Sequence, residues 1–198
     1  MRFFYLNKGF IMMKKILFFI FICFISTLEA KVVNKIIVLV DNEPITMVDL
    51  LAITKNNQMD ENVAINTLIQ KKIIINTCKK YGIKTDDADI NNQLLFIAKK
   101  NSLHSIEELE HAIKQQGDDF KEFKNTIAFE LNKQKLFNMI ASSTKAPTEE
   151  EIKNYQPKEF KSYSKEELYD IAYDNKIQNE IKSFLEKEQI KAKIEFIK

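Results

Sequence analysis

The side chains able to do chemistry are few. His104 and His111 stand seven residues apart around a helix start, and the two thiols are Cys23 and Cys78. Carboxylates come in runs at Glu107-Glu108 and Glu149-Glu150-Glu151. Two imidazoles with neighbouring acids are the raw material of a metal site, and a thiol beside an imidazole is that of a nucleophile. Neither arrangement finds its partners. Zinc wants three or four ligands at short, fixed spacing, and no cysteine stands near either histidine. Cys78 lies among isoleucines without a nearby histidine, and reads as a small buried apolar residue. The glutamate runs fall at predicted helix starts, where the positive end of the helix already favours acids. Three glycines in 198 residues build no glycine-rich phosphate loop. The expectation is a chain without enzyme activity, metal, cofactor or bound nucleotide.

What remains is the chemistry of apolar surface. On a predicted helix over 86–100, Ile90, Leu94 and Ile97 make one stripe at spacings of four and three, the core-facing pattern. Leu95 and Phe96 fall on its two flanks. On a longer helix over 119–141, Phe120, Phe123, Ile127 and Leu131 share one face. Phe129, Leu136 and Ile140 share an almost opposite one, with Phe137 and Met139 between. A helix apolar on two faces is either sandwiched in the core or lends one face to a partner. Leu136 and Ile140 can pack on the C-terminal helix through Leu168, Ile171, Ile181 and Leu185. Leu95, Phe96, Phe129, Phe137 and Met139 are left as the candidate binding residues, since phenylalanine and methionine give contact area without demanding polar geometry.

Helices and two terminal strands must position these groups. Residues 33–41 read as a strand, apolar for most of its length and so largely buried, followed by a turn at Asn42-Glu43-Pro44 and a short return at Ile45. Thr46 caps a helix, with Asp49 at the capping-box position. A second helix over 61–81 stops at Gly82, onto which Ile83 can fold back. Asp86 and Ser105 cap the next two helices, the second ending at Gly117. After the break at Ala146-Pro147, Thr148-Glu149-Glu150-Glu151 starts a short helix through Tyr155. Residues 156–163 are a polar connection, and Ser164-Lys165-Glu166-Glu167 opens a final helix to about Gln189. Ala192 to Lys198 reads as a strand. A helical chain whose strands lie at its two ends is expected to join them in one small sheet, a mainly α fold.

The first thirty residues read as a secretory leader. Met13-Lys14-Lys15 supplies a basic start, Ile16 to Ile25 an apolar stretch too short for a transmembrane helix, and Ala30 a cleavage point. Met13 is the natural start of that leader. The leader carries +3 of a chain whose formal charge is +2, which leaves Lys31–Lys198 at about −1. Without a basic field, nucleic acid is not an expected partner. Membrane association is expected only if the leader is retained.

The order of these elements resembles the SurA-type periplasmic chaperones, in the larger group that includes trigger factor's peptide-binding domain. The matching stretches begin with Val38-Leu39-Val40-Asp41-Asn42-Glu43-Pro44-Ile45-Thr46 inside 33–50, then Leu68-Ile69-Gln70-Lys71-Lys72 and Lys79-Lys80-Tyr81-Gly82-Ile83. Asp86-Asp87-Ala88-Asp89-Ile90, Phe120-Lys121-Glu122-Phe123-Lys124 and Thr148-Glu149-Glu150-Glu151-Ile152 follow in the family's order. The family usually carries one or two parvulin-type prolyl isomerase domains between such parts. Here only 156–163 occupies that place, and the two histidines lie elsewhere. The resemblance therefore implies a helical chaperone module spanning 31–198 as a single domain, without the isomerase. It further implies an ATP-independent periplasmic holdase for unfolded outer-membrane or other exported proteins, with the five apolar residues above as client contacts. The alternative is a non-catalytic scaffold subunit of the cell envelope, its groove filled by its own C-terminal helix or by a dedicated partner, and anchored at the membrane if the leader is uncleaved.

Overall fold

The computed structural model describes residues 34–57, 59–154 and 163–197. The expected leader at 1–30 lies outside them, as do Tyr155 and all of the 156–163 connection except Tyr163.

The two ends of the chain do share a sheet. β1 (Ile36–Val40) lies between β2 (Glu43–Thr46) and β3 (Ile194–Phe196), and both pairings are antiparallel. Asp41 and Asn42 form the β1–β2 turn, with φ of 51° and 66°. This is the left-handed geometry that a two-residue hairpin turn needs and that Asp and Asn tolerate. It places the turn one residue earlier than the reading of Asn42-Glu43-Pro44, and puts Pro44 opposite Leu39 on an edge strand, where a missing N–H costs no ladder bond. β1 is also less covered than its apolar run suggests. Val38 and Val40 are fully buried, Ile37 and Leu39 half-buried and Ile36 exposed, because the sheet is packed on one face.

Seven helices are described: α1 (Met47–Asn57), α2 (Glu61–Lys80), α3 (Asp87–Lys100), α4 (Ile106–Gln115), α5 (Phe120–Ser143), α6 (Glu149–Asn154) and α7 (Lys165–Lys191). Side-chain caps start them where the sequence places them. Asp86 accepts from the Asp89 N–H at 2.8 Å, and Ser164 and Glu167 form a reciprocal capping box. α2 ends as its glycine dictates. Gly82 takes φ +67°, the Ile83 N–H reaches back to the Cys78 carbonyl at 2.8 Å, and Ile83 packs on the cluster around Cys78.

The core is divided among three clusters. Val38, Val40 and Ile45 of the sheet pack with Leu50 of α1 and Ala64, Leu68, Ile69 and Ile73 of α2. Ile90, Leu94 and Ala98 of α3 meet Leu109 and Ile113 of α4, with Phe120, Phe123, Ile127 and Leu131 of α5 against them. Cys78, Leu136, Ile140 and Ile181 join α2, α5 and α7. α5 therefore serves two clusters with two faces. Its Leu136–Ile140 face packs on the C-terminal helix, as the spacing allows.

Candidate functional site

Where α5 passes between the second and third clusters, its flank stays open. A hollow of about 470 Å³ lies between α3, α5 and α7, lined by Ile127, Leu131, Phe137, Ala141, Ile177 and Ile181 among others. An adjoining hollow of about 440 Å³ on the α3 side has Phe96 in its wall. The two share Gln93, Leu131, Gln134 and Asn138, so they form one concave track. A third hollow, about 390 Å³, lies between α2 and α7 over Ile73, Ile74 and Leu185 and shares Gln178 and Ile181 with the first. The helical repeat explains the track. Ile127, Leu131, Gln134, Asn138 and Ala141 recur at spacings of four, three, four and three, one stripe of α5.

A fourth hollow, about 750 Å³, sits where α5, α6 and α7 meet, over Met139, Ile140 and Phe184. Lys145, Lys176, Lys187, Glu151 and Glu180 rim it. Both Glu151 oxygens accept from the Lys176 ammonium, at 2.8 and 2.9 Å. That contact, followed by the Thr148 backbone N–H, lowers the Glu151 carboxyl from 4.5 to about 2.

The five candidate residues do not share one surface. Phe96 is 59 % exposed in the second hollow, and Phe137 is half-buried in the first, which adjoins it. Met139, 38 % exposed, belongs to the fourth hollow. Leu95 is half-buried and lines none of the four. Phe129 is half-buried beneath two ammonium groups, Lys71 of α2 at 5.2 Å and Lys133 at 5.4 Å from its ring centre, a cation–π clamp between α2 and α5. The residues that sequence reasoning passed over are Ile177, Ala141 and the amides Gln93, Gln134 and Gln178. An apolar count alone hides a stripe that mixes isoleucine and leucine with glutamine and asparagine. Ile127 and Leu131, which share a face with Phe120 and Phe123, pack on the second cluster while also lining the track.

Cys78 and His104 are in structural use. Burial raises the Cys78 thiol, whose sulfur donates to the Asn132 carbonyl at 3.7 Å. His104 is exposed, 3.7 Å from the Glu108 carboxylate that also accepts its backbone N–H. Among the described residues no group of three His, Cys, Asp or Glu could hold a metal ion, and no helix is long and apolar enough to cross a membrane.

A mainly helical chain closed by a sheet of its own two ends, with a concave track along one long helix, defines a mainly α module. The pattern of the SurA N-terminal domain matches residues 32–136, more than half of the chain, and the chain belongs to that family. The stretch from Thr148 to Tyr155 lies beyond that match. Among solved structures, one from the work on PEB4 and Cj1289 aligns with a TM-score of 0.65 at 18 % identity, over 83 % of this chain and 100 % of its own. PEB4, a virulence factor, and Cj1289, a periplasmic protein, are two structurally related SurA-like chaperones of Campylobacter jejuni. At that identity the likeness speaks for the fold. Comparison with the curated proteins finds no match.

Proposed function

We propose that this chain is a periplasmic, ATP-independent holdase that binds unfolded outer-membrane or other exported proteins along the track between α3, α5 and α7. The observation that carries the proposal is the adjoining pair of hollows, with Phe96 in one, Phe137 in the other and Leu131 in both. An unfolded outer-membrane strand alternates apolar and polar residues that it cannot bury alone in water. Several shallow apolar contacts shield such a segment and, being individually weak, still let it leave. No nucleotide is needed for that cycle. Leu95, Phe129 and Met139 are outlying contacts in this reading, used by longer clients. Ten positions, 155–164, separate α6 from α7. They leave no room for a parvulin domain between those helices, so the proposed activity is binding without prolyl isomerisation.

The second reading is a scaffold subunit, which the covering of Leu136 and Ile140 by α7 favours. One experiment separates the two, helped by a chain that contains no tryptophan. A tryptophan-containing outer-membrane protein, unfolded in urea, is diluted into buffer with this protein while light scattering and tryptophan emission are followed. Suppressed aggregation with a saturable emission change is expected of the holdase. Unchanged scattering with silent emission rejects it in favour of the scaffold.

A further inference from the structure

We propose that the track is an amide ladder, which grips the main chain of an extended, uncharged client segment. This rests on the chaperone reading above and names the chemistry its site selects. The first observation is electrostatic. Each of the three connected hollows has one acid and one base in its lining, and the two are paired with each other. Glu130 pairs with Lys133 in the first, Asp89 with Lys135 at 2.7 Å in the second, and Lys182 with Glu186 at 4.0 Å in the third. A charged occupant finds no uncompensated counter-charge there. The fourth hollow differs, with three lysines against two glutamates in its rim.

The second observation is what the polar lining offers instead. Gln93, Gln134, Asn138 and Gln178 line the first hollow, and Gln70 and Gln189 flank Gln178 in the third. None of these amide side chains has a hydrogen-bond partner among the described residues. A carboxamide presents a donor and an acceptor together, the complement of the N–H and C=O of an unpaired backbone. The spacing also fits. Gln134 and Asn138, four apart on α5, are separated by about 6 Å along the helix axis. An extended chain repeats the same side every second residue, about 6.7 Å. Successive amides can therefore meet successive same-side peptide groups, while Leu131, Phe137 and Ile181 receive apolar side chains.

The test uses a capped, uncharged peptide that alternates serine with phenylalanine or tryptophan, and a twin in which alternate peptide N–H groups are replaced by ester oxygens. Side chains are identical, so the change is confined to the main chain, which loses donors and keeps weaker carbonyl acceptors. Binding, read from tryptophan emission, is expected to be about tenfold weaker for the twin. Gln134→Met with Gln178→Met, which keeps side-chain volume, is expected to weaken the parent peptide by a similar factor with melting unchanged. Raising salt to about 0.5 M should change parent binding less than twofold. Equal binding of the two peptides, or a strong salt dependence, overturns the ladder and leaves the holdase standing. A wild-type chain that holds an unfolded client but ignores the parent peptide also overturns it. A chain that binds neither peptide nor client overturns the chaperone reading itself.

Discussion

The ammonium of Lys80 on α2 lies 2.7 Å from the carboxylate of Glu188 on α7, joining residues 108 positions apart. Glu188 is only 8 % exposed, and Lys191 holds its other oxygen at 2.9 Å. Two residues beyond Lys191, the Lys193 N–H donates to the Asp41 carboxylate at 2.8 Å and its carbonyl accepts from the Asp41 N–H at 2.9 Å. The C-terminal helix is thus fastened to α2 and to the β1–β2 turn just before its chain enters the sheet.

Acid should loosen that fastening. Lys80 first, then Lys191, holds the Glu188 carboxyl below its ordinary 4.5, and Lys79 does the same for Glu43. A folded-state pKa below the unfolded one contributes stability above the unfolded value, and that stability is lost as pH falls through the folded value. The melting temperature should therefore drop as pH goes from about 5 towards 2. Glu188→Gln should melt lower than the wild type at neutral pH and decline less steeply in acid. Circular dichroism melts across that range check this, and parallel curves for the two proteins would refute it.

Leu136 is fully buried where α5 meets α7. Leu136→Ala leaves a cavity that neighbouring helices fill only in part, with an expected cost of about 2–5 kcal/mol. Urea unfolding should show an earlier midpoint with an unchanged slope. A cost under about 1 kcal/mol would mean that α7 is not seated on α5 in solution.

Phe96 and Phe129 should part company on mutation. Phe96→Ser alters an exposed ring, so stability should stay within about 0.5 kcal/mol while client capture weakens. Phe129→Ser removes a half-buried ring from between Lys71 and Lys133, and should cost about 1–3 kcal/mol. Thermal melts beside the aggregation assay measure both. Similar losses of stability in the two variants would contradict the separate surroundings of these rings.

Removal of 194–198 takes away β3, the partial burial of Ile194 against the first cluster, and the bond from the Ile197 N–H to the Ile37 carbonyl at 2.9 Å. β1 is then an edge beside β2 alone, and two strands without a third are marginal. The truncated protein should melt well below the full chain. Melting at the full-chain temperature would show that the terminal sheet is dispensable.

The helices could be read from the chain because their signals are local. Asp86, Ser105 and Ser164 each bond to an N–H three residues on, and Gly82 ends α2 by a backbone conformation few other residues accept. The union of the two terminal strands could be read as well, since a lone strand has no other partner. The turn at Asp41-Asn42 was misplaced by one residue, because Pro44 is a strong turn signal that an edge strand also tolerates. The binding surface was decided at a longer range. Phe96 and Phe129 are equally apolar in sequence, yet one faces solvent and the other lies under Lys71, some sixty positions away. Spacing along α5 sorts its faces but does not say which of them α3 and α7 will cover. That depends on how three clusters share one helix, and the open flank between them carries the amides no hydrophobic pattern records.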